Sequence, residues 1–156
     1  MAELKARLRA DLTTAMKNRE ATRMATLRMT LAAVTTEEVA GKVARELSDD
    51  DVLKVIIREV KKRHEAAEAF TGAGRGAQAE AELAEAEVLK AYLPAQLSDA
   101  ELTGLVADAV AEVEAGTGDK PGLKQMGQVM KLVTAKAAGR AEGGRLAAAV
   151  RAALAG

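Results

Sequence analysis

Leu102-Thr103-Gly104-Leu105-Val106-Ala107-Asp108-Ala109-Val110-Ala111-Glu112-Val113 is the stretch that decides the fold. Leu102, Leu105, Val106, Ala109, Val110 and Val113 recur at intervals of three and four, with polar residues between them. That period winds the apolar positions onto one stripe of an α-helix, whereas a strand would alternate every second residue. Ser98-Asp99-Ala100-Glu101 stands directly before it, with a hydroxyl at the N-cap and a carboxylate three residues on. This arrangement satisfies free backbone N–H groups at a helix start.

The same period extends in both directions. Leu4, Leu8, Leu12 and Met16 give a first helix closing near Asn18, and Met24, Leu27, Leu31 and Val34 a second ending about Gly41. Val52, Ile56, Val60 and Ala67 line a third that reaches Phe70 and is opened by Ser48-Asp49-Asp50-Asp51. Ala79, Leu83 and Ala86 mark a fourth running to Tyr92. Beyond the deciding helix, Leu123, Met126, Val129, Met130 and Val133 form a sixth stripe, and Leu146, Val150 and Leu154 a seventh. The expectation is an all-α protein of seven helices with no strand. Pro94 pushes Leu93 away from helical angles, so residues 93–97 read as a connector. We therefore expect an N-terminal domain of about four helices over 1–93 and a three-helix domain over 98–156. The latter has about sixty residues, near the lower limit for a self-sufficient core.

Composition removes several classes of function. Half of the chain, 49%, is apolar, which suffices for a core, although much of it is alanine. Phe70 and Tyr92 are the only aromatics, so there is no platform for stacking bases. There is no cysteine, hence no disulfide, zinc thiolate or thiol nucleophile. No apolar run approaches a membrane span and the N-terminus is no signal peptide, so the chain reads as soluble and cytoplasmic.

Candidate catalytic groups are few. His64, the sole histidine, lies on the apolar edge of the third helix without a serine or cysteine partner. Both serines read as caps. Asp49-Asp50-Asp51 reads as a capping cluster rather than a metal shell, and Glu80, Glu82, Glu85 and Glu87 as a solvated helix face. Gly72-Ala73-Gly74-Arg75-Gly76 lacks the Lys-Ser/Thr and the preceding strand of a phosphate loop, and reads as a turn. Arg58, Lys61 and Lys62 make a basic patch interleaved with acids. No catalytic residue, metal site or cofactor is expected.

Charge is distributed unevenly along a neutral chain. Gly122 to Gly156 holds Lys124, Lys131, Lys136, Arg140, Arg145 and Arg151 against Glu142, while Gly72 to Pro121 holds three basic residues against ten acids. A basic module is what a polyanion meets first. Lys124 and Lys131 are seven apart, two helical turns, and Lys136 follows. Gly127 permits close approach of a helix or of a sugar–phosphate backbone, Gly139 suits a left-handed helix end, and Arg140 and Arg145 flank the turn into the last helix. These seven residues are the candidate RNA contacts, expected to follow shape and phosphate and not base sequence.

Particular strings add a resemblance. Ala15-Met16-Lys17, Leu27-Arg28-Met29, Glu59-Val60-Lys61-Lys62-Arg63, Tyr92-Leu93-Pro94-Ala95-Gln96-Leu97-Ser98, Met126-Gly127-Gln128-Val129-Met130 and Gly139-Arg140-Ala141 resemble the YqeY-like proteins, from about residue 3 to 155. Thr35-Thr36, Gln125 and Glu142 depart from the residues usual there. The resemblance implies a helical N-terminal domain and a three-helix tail like that of the B subunit of glutamyl/aspartyl-tRNA amidotransferase, which contacts tRNA. It further implies an RNA partner through the tail, a possible protein partner through the N-terminal helices, and an association with glutamine-dependent amidotransfer. The amide-forming domains themselves are absent from these 156 residues. Three functions stay open: a non-catalytic tRNA- or RNA-binding accessory protein, an accessory component of an amidotransferase complex, and a protein-interaction module.

Overall fold

The computed structural model describes residues 2–155. Among them lie seven α-helices and no strand: α1 (Glu3–Lys17), α2 (Ala21–Val39), α3 (Asp49–Gly72), α4 (Gly76–Lys90), α5 (Asp99–Thr117), α6 (Met126–Ala137) and α7 (Gly143–Ala155). A single 3₁₀ turn, Leu123–Gln125, precedes α6. The all-α expectation holds. The chain forms two compact units that divide between Leu93 and Pro94.

In the first unit α3 packs along α4 and α1 along α2, while α2 also touches α3 and α4. Its core is Leu8, Leu27, Val34, Leu47, Val52, Val55, Ile56, Val60, Leu89 and Tyr92. Each fully buried Leu or Ile contributes about 1.5–3 kcal/mol of transfer free energy. Three stripe positions depart from expectation. Met16 and Leu83 are exposed, and Ala15 and Ala86 take the inward positions beside them. In the second unit Leu123 is likewise exposed, because the 3₁₀ turn rotates it off the stripe that α6 continues.

Charged side chains complete the first core. Lys5 and Arg63 fall on the buried spacings 5–8 and 56–60–63–67, and both are buried. Lys5 donates to both oxygens of Glu38 at 2.7 and 2.9 Å, and the same carboxylate accepts from Leu47 N at 3.3 Å, fixing the loop after α2. Arg63 donates to Glu59 Oε2 at 2.9 Å, to the Glu59 carbonyl at 3.0 Å and to Glu85 Oε2 at 3.1 Å. Glu85 is thus an inter-helix partner and not merely part of a solvated face. Tyr92 donates its hydroxyl to Asp11, and Arg7 lies 4.5 Å over the Tyr92 ring. Burial, reinforced by Asp11, pushes the Tyr92 hydroxyl up to about 12.

Two members of the acidic triplet, Asp49 and Asp51, have structural partners. Ser48 Oγ accepts from Asp51 N, Asp49 accepts from Leu4 N at the start of α1, and Asp51 pairs with Arg45 at 3.0 Å. Among the described residues no group of three or more His, Asp or Glu side chains is placed to hold a metal ion. No described helix is long and apolar enough to cross a membrane.

The Lys5 hydrogen bond, joined by Leu47 N–H, holds the Glu38 carboxyl below the usual range. A depressed folded value contributes stability above the ordinary carboxyl range, and that contribution is lost as pH falls through the folded value. Between pH 5 and pH 3 the wild-type thermal midpoint should therefore fall more steeply than that of Glu38→Gln. Parallel curves would remove Glu38 from the acid response.

Candidate nucleic-acid interface

The second unit is built by α5 through α7, and its core is continuous. Leu97, Leu102, Val106, Ala109 and Val113 meet Val129, Val133, Ala137, Leu146, Val150 and Leu154. The capping box before α5 forms as expected: Glu101 N donates to Ser98 Oγ and Ser98 N to Glu101 Oε1, both at 3.1 Å. These bonds, followed by the charge of Arg140, hold the Glu101 carboxyl below its ordinary value. With α5 against α6 and α7, the acidic and basic segments of the sequence become neighbours. After Pro94 the seven basic residues, Lys120 to Arg151, face seven acids, Asp99 to Asp119 and Glu142.

Six of the seven candidate residues separate into two sets, and Gly139 stands at the end of α6. Lys136, Arg140 and Arg145 are engaged inside the unit. Lys136 Nζ lies 2.9 Å from Glu112 Oε1 on α5. Arg140 donates Nε to the Ala95 carbonyl at 2.9 Å and Nη2 to Glu101 Oε2 at 3.4 Å, while its own carbonyl accepts from Leu97 N at 2.7 Å. Arg145 donates Nη1 to the Leu97 carbonyl at 2.6 Å and Nη2 to Asp99 Oδ1 at 2.7 Å. The two arginines thus hold residues 95–99 against the corner between α6 and α7. That role was invisible in the sequence, where Arg140 and Arg145 carry only charge and position.

Lys124, Gly127 and Lys131 form the other set. All three are exposed, as are Gln128 and Thr134 on the same helix. No ion pair joins Lys124 or Lys131 among the described residues. The space beyond the Gly127 Cα is open, with no atom of the described residues within 4 Å of where a Cβ would stand. Lys124 belongs to the 3₁₀ turn, so its seven-residue spacing from Lys131 is not two turns of one α-helix. Lys120, outside the seven candidates, is exposed just before the turn, and no acid occurs from Lys120 to Ala141. An unbroken acid-free run was the signal that would have included it. Gly139 is left-handed (φ 80), and Ala138 before it takes the left-handed C-cap (φ 49).

A family described as "Yqey-like protein" matches residues 5–154, nearly the whole chain. The chain belongs to the YqeY-like family. No protein with a curated function matches it. In this family member the exposed cations of α6 and the paired arginines of the α6–α7 corner lie within one unit, on elements fixed by a common core. Chemically that arrangement offers hydrogen-bond donors and positive charge to an anion.

Proposed function

We propose that the chain is a non-catalytic RNA-binding accessory protein whose second unit meets the sugar–phosphate backbone of tRNA or another structured RNA. The exposed Lys124, Gly127 and Lys131, within a run from Lys120 to Ala141 that contains no acid, are the observation that carries this. Phosphate contacts need exposed cations without competing carboxylates, and small neighbours that let the backbone approach. The absence of cysteine and the use of both serines as caps agree with a binding role.

Titration of fluorescently labelled unfractionated tRNA at several salt concentrations tests the proposal. If three or four cations meet phosphates, log K falls with log salt at a slope of roughly −2 to −4. Binding that is independent of salt, or no binding at low salt, overturns it.

A protein partner is favoured by a separate observation on α2. Ala25, Met29, Ala32, Thr36 and Val39 are exposed at alternating spacings of four and three, and Val39 and Met29 are 60% and 55% exposed. Such a stripe suits another helix. In this second reading the N-terminal unit presents α2 to another protein, within an amidotransferase complex or elsewhere. Met29→Glu should leave the thermal midpoint within about 2 °C of wild type, since surface changes rarely exceed ~0.5 kcal/mol. It should also remove whichever partner a pull-down from the native cell extract recovers with the wild type. A large loss of stability would show that Met29 belongs to the core instead.

A further inference from the structure

The Arg140–Arg145 pair is built in two halves. One edge of each guanidinium is fixed to a backbone carbonyl, Ala95 O for Arg140 and Leu97 O for Arg145. The other edge, Nη2, meets a carboxylate of the same chain, Glu101 at 3.4 Å and Asp99 at 2.7 Å. Those two carboxylates are unlike buried partners. The Asp99 side chain is 99% exposed and that of Glu101 54%. Exposed ion pairs of this kind are weak and strongly screened.

We infer that Asp99 and Glu101 are internal competitors for phosphate, occupying the outer edges of Arg140 and Arg145 until a phosphodiester displaces them. The inference rests on the RNA-binding proposal and deepens it. A phosphodiester carries one negative charge, as a carboxylate does, so the exchange preserves the charge balance at each guanidinium. The released carboxylates already face water, so their solvation changes little. The guanidiniums do not need to be ordered by the ligand, because the carbonyls of Ala95 and Leu97 already hold them. A planar guanidinium offers paired N–H donors to phosphate oxygens as readily as to a carboxylate. The consequence is a threshold. The lysines of the α6 region attract RNA at any time, but the arginines join only when a backbone is seated close enough to replace Asp99 and Glu101. Affinity is held below what the full set of cations would give, which favours release.

The test compares the full chain with two double variants that remove the same charge from α5. Asp99→Asn/Glu101→Gln removes the competing charges but keeps a side-chain oxygen at 101 for Ser98 N and one at 99 for Arg145. Asp108→Asn/Glu114→Gln removes two exposed acids elsewhere on the same helix. With labelled unfractionated tRNA, D99N/E101Q should bind about tenfold more tightly than wild type. Its log K against log salt should steepen by about 1.5, for two additional phosphate contacts. D108N/E114Q should gain at most about threefold, without steepening. Adding Arg145→Gln to D99N/E101Q should cut the gain to about threefold, since only Arg140 is then left to take a phosphate, with helical circular dichroism unchanged.

Equal gains in the two doubles, no gain in D99N/E101Q, or a gain undiminished by Arg145→Gln each overturn the inference. If Lys124→Ala/Lys131→Ala still weakens binding in that case, the RNA-binding proposal stands without the arginines. Absence of tRNA binding in every variant, wild type included, overturns both.

Discussion

Arg63→Ala will destabilise the first unit by about 3–5 kcal/mol, seen as a lower urea midpoint with little change in slope. Arg63 is 3% exposed and Glu59 7%, on the same helix one turn apart. Burial acts to raise the Glu59 carboxyl, but hydrogen bonds from Arg63 and Lys62 outweigh it and hold the group below its usual value. Removing the guanidinium leaves that carboxylate with only Lys62, whose side chain is 70% exposed. It also frees Glu85 from its bond across to α3. The loss is therefore that of an uncompensated buried charge, larger than the net worth of the pair. One nitrogen, Arg63 Nη2, is buried without a hydrogen-bond partner among the described residues, so the network leaves a donor unused. For that reason Arg63→Met combined with Glu59→Leu should recover most of the stability lost in Arg63→Ala. A single-variant loss under about 1 kcal/mol would mean that water reaches the site and the pair is effectively a surface one.

The helices were legible because a repeat of three and four leaves few alternatives, and because Ser48 and Ser98 mark two helix starts by a mechanism local in sequence. What the period does not reveal is which neighbour on a stripe edge turns inward. Met16 and Leu83 stand on expected stripes yet are exposed, while Ala15, off its stripe, is buried. The buried cations were readable in principle. Arg63 completes the spacing 56–60–63–67, and Lys5 precedes Leu8 by three. A long cation on a stripe needs a carboxylate, and neither Glu38 nor Glu85 is near in sequence; these partners are set by tertiary packing alone. The same reason hid the roles of Arg140 and Arg145, whose carbonyl partners lie about forty-five residues earlier. For the candidate interface, the sequence marks a basic segment but does not distinguish paired cations from open ones. Packing α5 alongside brings carboxylates to Lys136, Arg140 and Arg145 and leaves Lys124 and Lys131 open.

Reversing the charge of that open pair, Lys124→Glu/Lys131→Glu, should lower tRNA affinity by about 100-fold at low salt and flatten the salt dependence by about 1.5. Each lysine that leaves a phosphate removes one released counterion, and each glutamate put in its place adds repulsion at the same spot. Folding should not change, since both side chains are exposed and neither is an ion-pair partner within the described chain. Net charge alone must be separated from position, because any chain made more acidic repels RNA. Lys54→Glu/Lys61→Glu in the first unit makes the same change at two exposed lysines of α3 whose ion pairs, at 3.5 and 3.9 Å, are long. That control should stay within about threefold of wild type, because both lysines belong to the unit that does not carry the proposed contact. If the two reversals weaken binding equally, the protein holds RNA as a diffuse polyelectrolyte and the surface around α6 has no special part. If only the first does, the phosphate backbone passes over Gly127, where a side chain would stand in its way, and Gly127→Leu should then reproduce much of the loss without touching a charge.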